Sequence, residues 1–184
     1  MATRMNGHDG NVGAGVIAGM IGGIAGTFAM NHVQALWSRA VENFESDSAA
    51  GRHDSRDWQE RNEDANANEV AAQTIAKYTI ERPLKRDELK VAATALHFAF
   101  GSVVGGLYGG LVETNPGSSA LGGAAFGTAV WVGADEVAMP LLGLSRSDFE
   151  YPLETHVQAF VAHIVFGIAT EVVRRGVRAV MRRA

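Results

Sequence analysis

The 184-residue sequence contains no cysteine and only four prolines. The absence of cysteine excludes a disulfide framework, a cysteine-ligated zinc site and thiol catalysis. Basic residues are not in excess either, because 16 Lys and Arg stand against 20 Asp and Glu and leave a formal charge of −4. This balance argues against general nucleic-acid binding, and the length fits a single domain.

Charged residues are also missing from four long windows of the chain. These windows are residues 12–33, 91–112, 117–134 and 157–170. A helix needs about 20 mostly apolar residues to cross the hydrocarbon core of a bilayer, and the first two windows reach that length unaided. The third reaches it by running through Asp135 and Glu136, and the fourth by including His156 and Glu171.

This segregation of charge predicts an all-α fold: an integral membrane bundle of four glycine-rich transmembrane helices in one domain, residues 1–184. The helices are expected at about residues 12–36, 85–112, 117–142 and 156–178. Two alternatives are a soluble glycine-rich bundle and, for the first window, a cleaved signal peptide. Both fit less well, since uncharged stretches of this length rarely occur twice in soluble bundles and no clear cleavage site follows the first window.

Glycine, in contrast, is abundant, with 22 residues. In three of the predicted helices it recurs every four residues. These positions are Gly15, Gly19 and Gly23, then Gly101, Gly105 and Gly109, then Gly123 and Gly127. Such stripes let helix backbones approach closely in lipid, so they predict helix packing rather than phosphate binding.

The charged residues concentrate between the first two predicted helices and after the last one. Residues 38–90 carry 9 basic and 12 acidic residues. They predict an extramembrane, partly helical insert at residues 38–84, with an amphipathic helix near residues 68–80. Five arginines follow Glu171, which places the C-terminus in the cytoplasm by the positive-inside rule. An even number of spans then places the N-terminus there too.

A pattern H-x-x-F-G occurs twice, from His97 to Gly101 and from His163 to Gly167. The glycine-rich starts of the first and third helices also resemble each other. Both matches favour a duplicated helical hairpin, an arrangement used by some small transporters.

Several motifs together resemble the YagU-like family of bacterial inner-membrane proteins, a domain of unknown function. They are H-x-x-x-G-x-x-x-G-x-x-Y from His97 to Tyr108, W-x-x-x-D-E-x-x-x-P from Trp131 to Pro140, Gly143-Leu144-Ser145, and the run from His163 to Glu171. The resemblance covers nearly the whole chain. It implies a multi-pass protein of the bacterial inner membrane with a loose association with acid tolerance, and it supplies no catalytic residues. The long insert departs from the shorter one expected in some relatives.

Ionisable side chains inside a bilayer cost a few kcal/mol, so they tend to face the interior of a bundle. At about 1.5 Å per residue from the predicted outer helix ends, three such residues lie about 8–10 Å deep. We therefore predict a buried polar layer, capped by the first helix, of His97, Asp135, Glu136, His163 and His32. It is interpreted as a proton relay or sensor, as a transition-metal site, or as a structural pairing that fixes helix positions.

Two further carboxylates stand towards the opposite ends of their helices. Glu113 is expected at a solvated helix end. For Glu171, an interfacial ion pair with Arg174 and Arg175 and a functional role both stay open.

No nucleophile, metal-ligand or cofactor motif is present, since H-E-x-x-H, G-x-S-x-G and a di-iron helix pair are all missing. We therefore expect neither an enzyme nor a cofactor. The predicted function is that of a proton- or ion-responsive or transport-related protein; the alternative is a non-catalytic membrane scaffold or interaction protein. The expected partners are the lipid bilayer and either a second copy or another membrane protein, with no nucleic acid.

Overall fold

A computed structural model describes residues 11–46, 67–119, 121–138, 141–142 and 153–183. All regular elements in these residues are helices, which confirms the predicted all-α class. The α-helices are α1 (Val12–Ser46), α2 (Ala67–Thr79), α3 (Arg86–Thr114), α4 (Ala124–Val130) and α5 (Leu153–Met181). A 3₁₀ turn, Pro116–Ser119, precedes α4, and a π-helix, Trp131–Ala138, follows it directly. We call the latter the π segment.

Three helices are long and apolar enough to cross a membrane: Val12–Val41, Arg86–Thr114 and Leu153–Met181. The third predicted span corresponds to α4 and the π segment, which have 7 and 8 residues and are not among these three. The count of four spans therefore stays a prediction. The amphipathic helix expected in the charged insert corresponds to α2, while residues 47–66 of that insert lie outside the described part.

Helix α1 lies at the centre of the bundle and packs along both α3 and α5. α4 packs on a neighbouring face of α5, and α2 packs against α3. In the described residues α3 and α5 have few close backbone contacts with each other. Long side chains fill the space between them, and this space contains the ion pairs described below.

Glycine allows the close approach of α1 to its two neighbours. A Cβ atom on Gly19 or Gly23 would overlap the carbonyl oxygen of Gly105 or Gly101 on α3. A quarter turn away, a Cβ on Gly22 would stand 2.5 Å from the carbonyl oxygen of Thr170 on α5. α1 thus presents one glycine face to each partner helix.

The other predicted glycines lie at contacts of the same kind. Gly15 lies against Gly109 and the side chain of Glu113, whereas Gly123 and Gly127 lie against the backbone of α5. Gly123 also has φ 89°, a left-handed conformation that a side chain would strain, and it forms the N-cap of α4.

The apolar core between the helices is small. Met30, Ala162 and Phe166 form its buried centre, with Phe126 and Val130 packed against it. Large apolar side chains instead point outward from all three long helices, among them Phe28 (58% exposed), Leu107 (70%) and Val172 (63%). The outer surface of the bundle therefore carries many large apolar side chains.

Candidate functional site

The first polar cluster joins α3, the π segment and α5. We call it the histidine–carboxylate cluster, and its members are His97, Asp135, Glu136, His156 and His163. Asp135 Oδ2 lies 3.6 Å from His163 Nδ1, and Glu136 Oε1 lies 3.1 Å from His156 Nδ1. Two neighbouring carboxylates of the π segment therefore contact two imidazoles of α5.

His163 is the most enclosed member of this cluster. Its side chain is 8% exposed, against 39% for Asp135. Its Nδ1 also lies 2.9 Å from the carbonyl oxygen of Ala159, which can only accept a hydrogen bond, so Nδ1 carries a proton in this arrangement. His97 on α3 is half-buried and lies near His163.

The structure brings some members of the predicted layer together and leaves others apart. Asp135 contacts His163, and His97 on α3 lies near them, while Glu136 contacts His156, which the sequence indicated only as a helix entry. His32 does not fit the predicted cap. It is exposed, and its Nδ1 lies 3.0 Å from the carbonyl oxygen of Phe28 in its own helix, because its position on α1 points away from the neighbouring helices.

The metal interpretation of the layer finds no support in the arrangement of these side chains. Among the described residues, no group of three or more histidines and carboxylates is placed to hold a metal ion. The cluster is instead arranged in pairs, with one carboxylate for each imidazole of α5.

The second cluster lies where α3 and α5 end. We call it the arginine–glutamate cluster: Glu113, Glu171, Arg174, Arg175 and Arg178. Glu113 accepts two hydrogen bonds from Arg178, both 2.7 Å long, across the space between α3 and α5. Glu171 accepts two from Arg174, at 2.7 and 2.9 Å, and another from Arg175.

Four of the five charged side chains in this cluster are buried, and Arg175 is the exposed one. The side chains of Glu171, Glu113, Arg174 and Arg178 are 1%, 6%, 7% and 9% exposed. Removing a single ion from water costs several kcal/mol, which the paired, bidentate geometry offsets. Arg174 Nη1 also lies 3.8 Å from Glu113, so the two ion pairs form one connected network.

Aromatic side chains cover this network on its inner side. The ring of Tyr108 stacks on Phe126 with centroids 4.2 Å apart, and the Arg174 guanidinium carbon lies 6.0 Å from the Tyr108 centroid. The Tyr108 hydroxyl is buried and lies beside the Glu171 carboxylate. Apolar and aromatic groups therefore separate the two polar clusters.

The expectation of a solvated Glu113 is wrong, because Arg178 from another helix reaches and covers its carboxylate. For Glu171 the expected pairing with Arg174 and Arg175 is present, and its carboxylate is buried within the protein. The missed signal is the spacing of Arg174 and Arg178, four residues apart on the face of α5 that also carries Glu171.

An exposed ion pair offers a contrast to this buried network. Arg82 Nη1 and Nη2 donate to Glu88 at 2.8 and 3.0 Å in the turn before α3. The neighbouring carboxylate raises the pKa of Arg82, while solvent reaches both side chains. A pair of this kind contributes little to stability.

The comparisons with curated proteins and with solved structures give no match. One protein family matches, DUF1440, described as a protein of unknown function, over residues 68–172. The matched region includes the whole histidine–carboxylate cluster together with Glu113 and Glu171, and it covers more than half of the chain. The chain therefore belongs to the DUF1440 family of proteins of unknown function.

Proposed function

We propose that the chain is a multi-pass membrane protein in which proton binding at the histidine–carboxylate cluster controls the contact between the π segment and α5. The observation that carries this proposal is the pair of contacts Asp135–His163 and Glu136–His156 across one interface. Protonation of an imidazole turns each contact into an ion pair, so the attraction between the two elements depends on pH near neutrality.

His163 lies in an enclosed site against the π segment. Its Nδ1 is 3.6 Å from Asp135 Oδ2, and its side chain is only 8% exposed. π-Helical turns are uncommon and occur frequently at functional sites. This combination supports a proton-responsive element rather than a fixed packing contact.

Membrane residence is supported by the distribution of apolar surface. Three helices have the length and composition to span a bilayer, and their large apolar side chains point outward. In water such a surface would be a strong aggregation hazard, whereas lipid solvates it without cost.

The finer assignments also belong to this proposal. They are the YagU-like identity, residence in the bacterial inner membrane with both termini in the cytoplasm, and a part in acid tolerance. The motifs from His97 to Tyr108 and from Trp131 to Pro140 support the first, and the arginines of α5 support the orientation.

Histidine titration by NMR tests the proton-responsive contact. In purified protein, Asp135→Asn should change the titration curve of His163, since it removes the facing charge and keeps the shape of the side chain. His32 serves as the internal control, because it contacts its own helix and should titrate identically in both proteins. If the His163 curve is the same in wild type and Asp135→Asn, the proposed contact does not bind protons and the proposal fails.

A membrane scaffold is the second candidate, and the glycine contacts of α1 with α3 and α5 favour it. Proton flux into liposomes that contain the purified protein separates the two. Flux that Asp135→Asn abolishes and His32→Gln preserves supports proton-coupled transport. Absence of flux in a folded protein, with no change in the His163 titration, supports the scaffold.

A further inference from the structure

The arginines of α5 divide into an inward and an outward set. Arg174 and Arg178 are buried and paired with Glu171 and Glu113. Arg175 has a side chain that is 58% exposed, and Arg182 and Arg183 are exposed at the end of the helix. Among the described residues at the C-terminal end of α5 there are five arginines but only two carboxylates, Glu113 and Glu171. Because both carboxylates are paired with buried arginines, the excess positive charge is on the surface of the bundle.

The outward arginines continue an exposed apolar stripe on the same face of α5. Positions seven residues apart lie nearly two full turns apart and share a face. Ile168 (43% exposed) and Val172 (63%) occupy the inner part of this stripe, and Arg175 and Arg182 occupy its outer part. One exposed face of the helix therefore changes from apolar side chains to guanidinium groups towards its C-terminal end.

We propose that this stripe, the α5 lipid stripe of Ile168, Val172, Arg175 and Arg182, binds an anionic phospholipid. The acyl chain would lie along Ile168 and Val172, and the phosphate would accept hydrogen bonds from the two arginines. Arg175 begins about 10 Å beyond Ile168 along the helix, which matches the change from hydrocarbon to headgroup depth. The proposal rests on the membrane residence proposed above.

Two features favour a phosphate group at this place. Guanidinium groups bind phosphate with two parallel hydrogen bonds, and clusters of basic residues at the membrane surface select anionic lipids. The Arg175 guanidinium is already held in position, because it donates to Glu171 and to the carbonyl oxygen of Ser119 at 3.2 Å. A fixed guanidinium loses less freedom when a headgroup binds.

Lipid titration of the purified full-length protein in neutral detergent tests the inference. Phosphatidylglycerol should raise the melting temperature and remain bound in native mass spectra, whereas phosphatidylcholine should do neither. Arg182→Gln should weaken phosphatidylglycerol binding about 5-fold, and Arg175→Gln with Arg182→Gln about 30-fold, since each basic residue near an anionic headgroup contributes a similar increment. Arg86→Gln, an exposed arginine at the start of α3, is the matched control and should bind as wild type does.

Arg175 also donates to Glu171, so Arg175→Gln can disturb the buried ion pairs as well as lipid binding. The single variant Arg182→Gln tests lipid binding without removing that hydrogen bond. The inference is overturned by equal effects of the two lipids, by equal losses in Arg182→Gln and Arg86→Gln, or by inorganic phosphate that stabilises the protein as well as the lipid does. Carbonate washing of membranes reports separately on membrane residence. A protein that resists washing but shows no preference for phosphatidylglycerol contradicts only the lipid stripe.

Discussion

Each buried carboxylate between α3 and α5 has a guanidinium that compensates it, and the loss of one partner leaves the other as an isolated buried charge. Glu113→Leu should therefore destabilise the protein by on the order of 3 kcal/mol, the cost of leaving Arg178 unpaired in a buried site. The double variant Glu113→Leu with Arg178→Leu should recover most of this loss, since two apolar side chains fill the same space. Thermal unfolding in detergent measures both.

Arg82→Leu is the control for this comparison, because it breaks the exposed pair with Glu88, leaves the hydrogen bond from the Lys85 backbone to Glu88 in place, and should change the melting temperature little. A Glu113→Leu protein as stable as Arg82→Leu would mean that the buried network does not hold α3 and α5 together. The sequence could not predict this network. Arg178 and Glu113 are 65 positions apart, and their pairing depends on the register of two helices that scarcely touch through their backbones.

At the scale of the helix, glycine decides how closely elements approach. Gly105→Ala places a Cβ 2.5 Å from the carbonyl oxygen of Gly19 and 2.8 Å from the Cα of Gly23, so α1 and α3 must move apart. We expect a loss of about 1–3 kcal/mol from this overpacking. Gly176→Ala on α5 is the matched control, since a Cβ there meets nothing within 4 Å. It should be neutral or slightly stabilising, because alanine is the better helix former.

Equal melting temperatures of the Gly105→Ala and Gly176→Ala proteins would contradict the glycine contacts. The sequence alone predicts that these two glycines differ, because Gly105 belongs to a repeat of glycines every four residues and Gly176 does not. The same reasoning fails for the π segment. Its first residues, 131–134, belong to the same uncharged window as Ala124–Val130, and no feature of the sequence marks the change of helix type at Trp131.

At the scale of the whole molecule, charge segregation predicted the helical class and the three long apolar helices, because a bilayer excludes charge from long segments. The number of crossings depends on the path between α3 and α5. Glu113 near the end of α3 contacts Arg178 near the end of α5, and the carbonyl of Ser119 accepts a hydrogen bond from Arg175. α3 and α5 therefore run parallel and finish at the same end of the bundle.

Two parallel helices in succession require the connecting chain to return to the starting end. α4 and the π segment lie on this return path, since residue 119 is at one end and Glu136 contacts His156 near the start of α5 at the other. This geometry supports a fourth crossing, although the two short helices do not reach spanning length among the described residues. Four crossings place both termini on one side, whereas three place them on opposite sides.

Reporter fusions that are active on only one side of the membrane therefore decide the number of crossings. We expect reporters joined at residues 1 and 184 to report the cytoplasm, since the arginines at the end of α5 favour that side. A reporter at residue 65, within the charged insert, should report the opposite side. Reporters at the two termini on opposite sides would contradict the parallel arrangement of α3 and α5. Two parallel helices that both span the bilayer require the chain between them to cross it as well, and α1 begins at the end of the bundle where α5 finishes.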